Sequence, residues 1–209
     1  VPISAKVSSK YQLFDNDELQ DVLKLTAQES KPMRLVTKMA LFTGARQSEI
    51  CNLKVENFVK VEGCYVLYIT SGKNDAAVRT IALSDKLSSE VKDIAQGRSG
   101  DERLFGIESD TVSRRFSALK SKVVTDGSKV FHSFRVHYAT AAQRSGVNEY
   151  ITAELIGHSV AKSMSYGYYS KGHDVAQLKE GFELIEEYIL NTWWNLEQEG
   201  IKYKLGNKL

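Results

Sequence analysis

Apolar residues recur at helical spacing along most of this chain and change to an alternating, strand-like pattern in one stretch. Asp15 or Asn16 caps a first helix running to about residue 28, with Leu19, Val22, Leu23 and Leu25 on its apolar side. Pro32 suits the first turn of a second helix, in which Met33, Leu35, Val36, Met39, Ala40 and Phe42 repeat. Gly44 reads as its left-handed stop. A short helix from Gln47 to Leu53 follows at once, which leaves Arg46 at a tight helix-to-helix junction.

The period then shifts. Cys64 to Thr70 and Val78 to Leu83 are rich in Val, Ile, Tyr and Thr, and SGKNDAA between them has turn composition. These segments predict a β-hairpin with Lys73 near its tip, joined by a strand around Phe58 to Val61. Helical spacing returns over Asp85–Ala95, Ser109–Val123, Ser133–Ser145, Glu149–Leu155 and Val160–Tyr169, then over a long stretch from about Val175 to Leu196. The expected class is mainly α with a small antiparallel sheet.

Length and composition narrow the picture further. At 209 residues, 42% hydrophobic and 26% charged, the chain suits a folded domain with a sizeable core. No apolar run approaches the roughly 18 to 20 residues needed to cross a bilayer, and the polar start VPISAKVSSK is no signal segment. Cys51 and Cys64 without such a signal read as reduced, packed thiols of a cytoplasmic protein. The chain does not begin with Met, so it reads as a fragment or a processed product.

A net charge of +2 says little by itself, but its distribution is uneven. From Asp110 to Lys171 the cations Arg114, Arg115, Lys120, Lys122, Lys129, Arg135, Arg144, Lys162 and Lys171 face four carboxylates. From Asp174 to Glu199, seven carboxylates oppose Lys179 alone. A basic body and an acidic end suit contact with nucleic-acid phosphate through the body. Arg114, Arg115, Lys120 and Lys122 are the expected DNA contacts.

Six scattered residues carry the chemistry: Arg46, Lys73, His132, Arg135, His158 and Tyr169, in the contexts TGARQSEI, TSGKND, HSFRVHYAT, LIGHS and YYSKG. Singly, each has an ordinary structural explanation. Together they supply a phenol, two guanidinium forks, an ammonium and two imidazoles, a set suited to phosphodiester chemistry without a metal. His132 and Arg135 stand three apart at a helix start, on one face, where the helix N-terminus also favours an anion. His132 and His137 are five apart, off a common face, and no cysteine pair or HExxH pattern accompanies them. No zinc site and no other cofactor is therefore expected.

TGARQSEICNL, a lysine hairpin, HSFR, LIGHS and a downstream tyrosine, in that order, resemble the catalytic domain of the tyrosine recombinases of the lambda-integrase type, over roughly residues 35 to 172. The resemblance implies a site-specific DNA recombinase, most readily the integrase of a phage or other mobile element; a type IB topoisomerase-like nicking-closing enzyme is the alternative. It implies Tyr169 as the nucleophile of a 3′-phosphotyrosine intermediate, and Arg46, Arg135 and His158 as phosphate ligands. Lys73 would be general acid, His132 an aid to proton transfer, and Glu49 a supporting carboxylate. Where much of the family has its tyrosine, nine residues after His158, this chain has Gly167; Tyr168 and Tyr166 stay open as alternatives to Tyr169. Lys60 and Arg79 read as poor substitutes for Lys73.

The resemblance also implies duplex attachment-site DNA as partner, a homotetramer on synapsed DNA when full-length, accessory DNA-bending proteins, no membrane, and the nucleoid of a bacterial host. The catalytic domain would occupy 1–173. Residues 174–209 would form a helix and tail docking in cis or on a neighbouring protomer, and a core-binding domain is expected to be missing at the N-terminal side.

Overall fold

The computed structural model describes residues 10–70, 78–158 and 172–194. Helix α1 (Asn16–Ala27) starts at Asp15, whose carboxylate accepts the Glu18 N–H while Glu18 reaches back to the Asp15 N–H. Helix α2 (Lys31–Thr43) has Pro32 in its first turn and stops at left-handed Gly44 (φ 62°). Helix α3 (Gln47–Asn52) begins three residues later. A single 3-10 turn (Val55–Asn57), not legible in the pattern, leads into the sheet.

The three strands β1 (Phe58–Val61), β2 (Cys64–Ile69) and β3 (Arg79–Ala82) lie side by side in that order, both pairs antiparallel. Val61 pairs with Cys64 across a two-residue turn in which Glu62 (φ 50°) and Gly63 (φ 83°) both take positive φ, the geometry that matches strand twist. In the second pair Ile69 faces Arg79, so that pair marks the root of the connection carrying Lys73.

Five helices complete the described fold: α4 (Asp85–Ala95), α5 (Ser109–Lys120), α6 (Ser133–Arg144), α7 (Glu149–Ile156) and α8 (Val175–Thr192). Helix α5 ends three residues before the expected Val123. The helix expected over Val160–Tyr169 lies outside the described residues. Helix α6 is central, with Phe134, Tyr138, Ala141 and Ala142 fully buried between α2 and α8.

The apolar stripe on α8 packs within this domain. Phe182, Ile185 and Ile189 are fully buried and Trp193 nearly so, against α2, α6, α7 and β3. Gly181 permits that approach, since a Cβ there would sit 2.6 Å from Ile151 Cγ2. No helix among the described residues is long and apolar enough to cross a membrane. Cys51 is fully buried, Cys64 is half-buried, and both are free.

One buried histidine ties the two ends of the described fold together. His137 Nε2 accepts the Phe14 N–H at 3.1 Å, its ring stacks on Phe14, and the Trp193 ring meets it edge-on at 4.7 Å. Burial, aided by the charge of Arg144, drives its pKa down to about 4. An unfolded chain takes up a proton near pH 6.5 that the folded chain refuses. The stability His137 contributes is therefore complete above pH 6.5 and drains away as pH falls toward 4, by about 3 kcal/mol. Urea titrations at pH 7, 5.5 and 4 should show this limb, and His137→Gln should flatten it.

Candidate active site

Helix α2 stops at Gly44 and the chain turns at once into α3, so Arg46 becomes the residue that starts α3 (φ −69°, ψ 147°). Glu49, one turn on, reaches back: its Oε2 accepts the Arg46 N–H at 2.9 Å and its Oε1 accepts Arg46 Nη1 at 2.5 Å. The carboxylate is buried, whereas the Arg46 side chain keeps 29% exposure, enough to meet a ligand from outside.

A second guanidinium lands on the same carboxylate. Arg79, first residue of β3, donates Nη2 to Glu49 Oε2 at 2.9 Å and Nε to the Leu155 carbonyl at 2.8 Å. Burial alone would push the Glu49 carboxyl up. Arg79 and Arg46 outweigh it, so Glu49 sits below the ordinary carboxylate value and is ionised at neutral pH.

Arg135, in the first turn of α6, is 5% exposed. Its Nη1 donates to the Gly44 carbonyl at 2.7 Å, which fixes the side chain to the end of α2. Its Nη2 is buried with no hydrogen-bond partner among the described residues. Burial, then the charges of Arg46 and Arg79, lower its pKa to about 10, with Glu49 opposing. It remains a cation at pH 7, desolvated and repelled by its neighbours. Such a group is costly unless something negative completes it.

His132 starts α6, three residues before Arg135, and its ring lies against Tyr11 with centroids 4.9 Å apart. His158 follows left-handed Gly157 (φ 71°) at the end of α7, where its N–H closes on the Ala153 carbonyl. Burial first, then Arg135 and Arg46, lower the pKa of both imidazoles; His158 adds to the effect on His132, and Arg79 to that on His158. Both rings are therefore neutral at pH 7, able to donate from one nitrogen and accept at the other.

Five expected residues thus converge from α3, α6 and α7: Arg46, Glu49, His132, Arg135 and His158. Lys73 and Tyr169, with Tyr166 and Tyr168, lie outside the described residues. Of the cations expected to meet DNA, Arg114 and Lys122 are exposed. Arg115 is exposed too, but its Nη1 lies 3.2 Å from Ser30 Oγ and 3.6 Å from a Glu29 carboxylate oxygen. Lys120 requires a correction. It is 9% exposed and its Nζ donates to the Asp126 carbonyl at 2.8 Å, so its ammonium closes the loop after α5 and is not offered to phosphate.

Arg79, which the sequence offers only as a poor substitute for Lys73, joins the cluster through Glu49 instead. The available signal was a charge opening an apolar strand, at a register position opposite buried Ile69. Tyr11, ahead of α1, was also unremarked; nothing in its local sequence marks it as a neighbour of His132.

Residues 12–173 match the family model of the phage integrase family. The tyrosine recombinase XerA of Pyrococcus furiosus is 27% identical over 151 residues, which is 68% of this chain and 52% of that protein. This chain spans about half the length of the curated relatives it matches. The lambda integrase catalytic core superposes with a TM-score of 0.53 at 23% identity, covering 71% of this chain and 96% of that one. A lambda integrase tetramer bound to a Holliday junction gives 0.54 at 21% identity, over 76% of this chain and 50% of the other.

Proposed function

The chain belongs to the phage integrase family, and from that premise we propose that it is the catalytic part of a site-specific recombinase that cuts and rejoins duplex DNA through a 3′-phosphotyrosine. The observation that carries this reading is the buried Nη2 of Arg135, which has no hydrogen-bond partner among the described residues, in a cluster with Arg46, His132 and His158. Two guanidinium forks suit the non-bridging oxygens of a phosphodiester and the extra charge of its pentavalent transition state.

In this reaction the Tyr169 hydroxyl oxygen bonds to phosphorus as the bond from phosphorus to the 5′-oxygen breaks. A free phenol has a pKa near 10 and is roughly 0.1% ionised at pH 7. Neutral His132 accepts its proton, and the surrounding cations favour the phenolate. Lys73 gives a proton to the departing 5′-oxygen. His158 donates a hydrogen bond to a phosphate oxygen, and Glu49 keeps Arg46 aimed. Attack by a new 5′-hydroxyl reverses each step. One phosphodiester replaces another, so neither ATP nor a metal enters the scheme.

The partner is duplex DNA. The full-length protein would act as a tetramer on paired sites, assisted by DNA-bending proteins, with Arg114 and Lys122 as added phosphate contacts. The test is a duplex nicked next to the cleavage position, so that the released fragment diffuses away and the covalent product accumulates. Wild-type protein should form a denaturant-resistant adduct in EDTA, and Tyr169→Phe should form none. Absence of any wild-type adduct over a panel of candidate sites would overturn the reading.

A further inference from the structure

We infer that Arg79 is a positioning residue for strand cleavage, joining the carboxylate that aims Arg46 to the helix end that presents His158. The inference rests on the recombinase reading for its kinetic consequence, but its structural content stands apart from it. One side chain makes both links: Nη2 to Glu49 Oε2 at 2.9 Å and Nε to the Leu155 carbonyl at 2.8 Å. Leu155 lies in the last turn of α7, whose carbonyls lack partners within the helix, three residues before His158. Glu49 is the residue whose other oxygen holds Arg46 Nη1. Arg79 also stands at the root of the connection that carries Lys73. Segments bearing three of the site's functional groups therefore meet on a single guanidinium.

Burial gives these links their weight. The side chains of Arg79 and Glu49 are 5% and 3% exposed, so water cannot replace a lost partner. A lysine would supply the charge for Glu49 but not a second, fixed donor for Leu155. Electrostatics point the same way. Glu49 divides its charge between two guanidiniums, and without Arg79 the whole of it would fall on Arg46. Arg46 would be drawn onto the carboxylate and away from an incoming phosphate. Arg79 also lowers the pKa of His158, so its removal makes that imidazole easier to protonate.

The test uses the full chain with Arg79→Met and Arg79→Lys. Single-turnover cleavage of the nicked duplex should slow about 30- to 100-fold in Arg79→Met, while duplex affinity stays within roughly threefold. Arg79→Lys should recover part of the rate. Independently of activity, the His158 ring-proton signal should titrate at higher pH in Arg79→Met, and the His137 signal should not move. Wild-type cleavage by folded Arg79→Met, or an unmoved His158 titration, would overturn the inference. Should Arg79→Met fail to fold, Arg79→Lys decides: slowed cleavage supports the link, and an unchanged rate removes it. If wild-type protein forms no adduct, the recombinase reading falls and the His158 titration alone judges Arg79.

Discussion

Arg135→Ala should lower the rate of covalent strand cleavage by about a thousandfold while leaving the fold in place. Loss of one preorganised donor to a developing oxyanion costs roughly 10²- to 10³-fold, and here a full charge goes with it. Arg135→Lys should not restore the rate. The wild-type fork spends Nη1 on the Gly44 carbonyl, and Nη2 has no partner among the described residues; an ammonium carries its three donors on one atom and lacks the planar two-nitrogen span that reaches the anchor and the phosphate together. Stability should change far less, by roughly 1 kcal/mol, because two effects oppose. Gly44 loses its partner, but Arg46 and Arg79 lose a buried cation that repels them. Single-turnover cleavage and a thermal melt on the same variants check both statements.

The largest effect on stability is expected at Gly44. Its φ of +62° is strained for any side chain, and an added Cβ would lie 2.6 Å from Tyr138 Cδ1 and 2.9 Å from Cγ. Tyr138 is fully buried on α6, so its ring has nowhere to retreat. Left-handed backbone costs about 1–2 kcal/mol and overpacking about 1–3 kcal/mol, giving about 3 kcal/mol in all for Gly44→Ala. In a domain of this size that lowers the melting temperature by roughly 6–12 °C. Gly63→Ala is the control: φ is +83° but, its chain neighbours aside, no atom of the described residues lies within 4 Å of the added carbon, so only the backbone cost of about 1 kcal/mol applies. Gly44→Ala should also slow cleavage below its melting temperature, since the Gly44 carbonyl anchors Arg135.

These two expectations share a cause. The α2 to α3 junction is both a packing joint and part of the site, so damage to one reaches the other. Tyr138, Gly44, Arg135 and Arg46 link the core to the site through the α2 to α3 junction and α6.

How far such a site can be read from a sequence depends on whether its partners are local. Arg46 and Glu49 are three apart on one turn, as are His132 and Arg135, so helical periodicity alone places each pair on a common face. The bounds expected for α4 and β1 from local spacing agree with the structure, which shows what closes them: Ser84 caps the helix, and the strand ends on a two-residue Glu62-Gly63 turn. Arg79 was not legible, because its partners Glu49 and Leu155 lie 30 and 76 residues away. Lys120 misled for the converse reason. Its charge fits a basic stretch, but the loop after α5 folds back to give its ammonium a carbonyl. The stripe on α8 was visible as a stripe, yet whether it meets its own domain or another chain depends on tertiary packing, which periodicity does not encode. The Phe14 to His137 bond, spanning 123 positions, belongs with these.

The measurement that tests the central claim most directly is peptide mapping of the trapped protein–DNA adduct by mass spectrometry. A nucleotide remnant linked through its 3′-phosphate to Tyr169, formed in EDTA and lost with Arg135→Ala, is the predicted result. A remnant on another residue, a linkage through a 5′-phosphate, or an adduct indifferent to Arg135 would contradict the account.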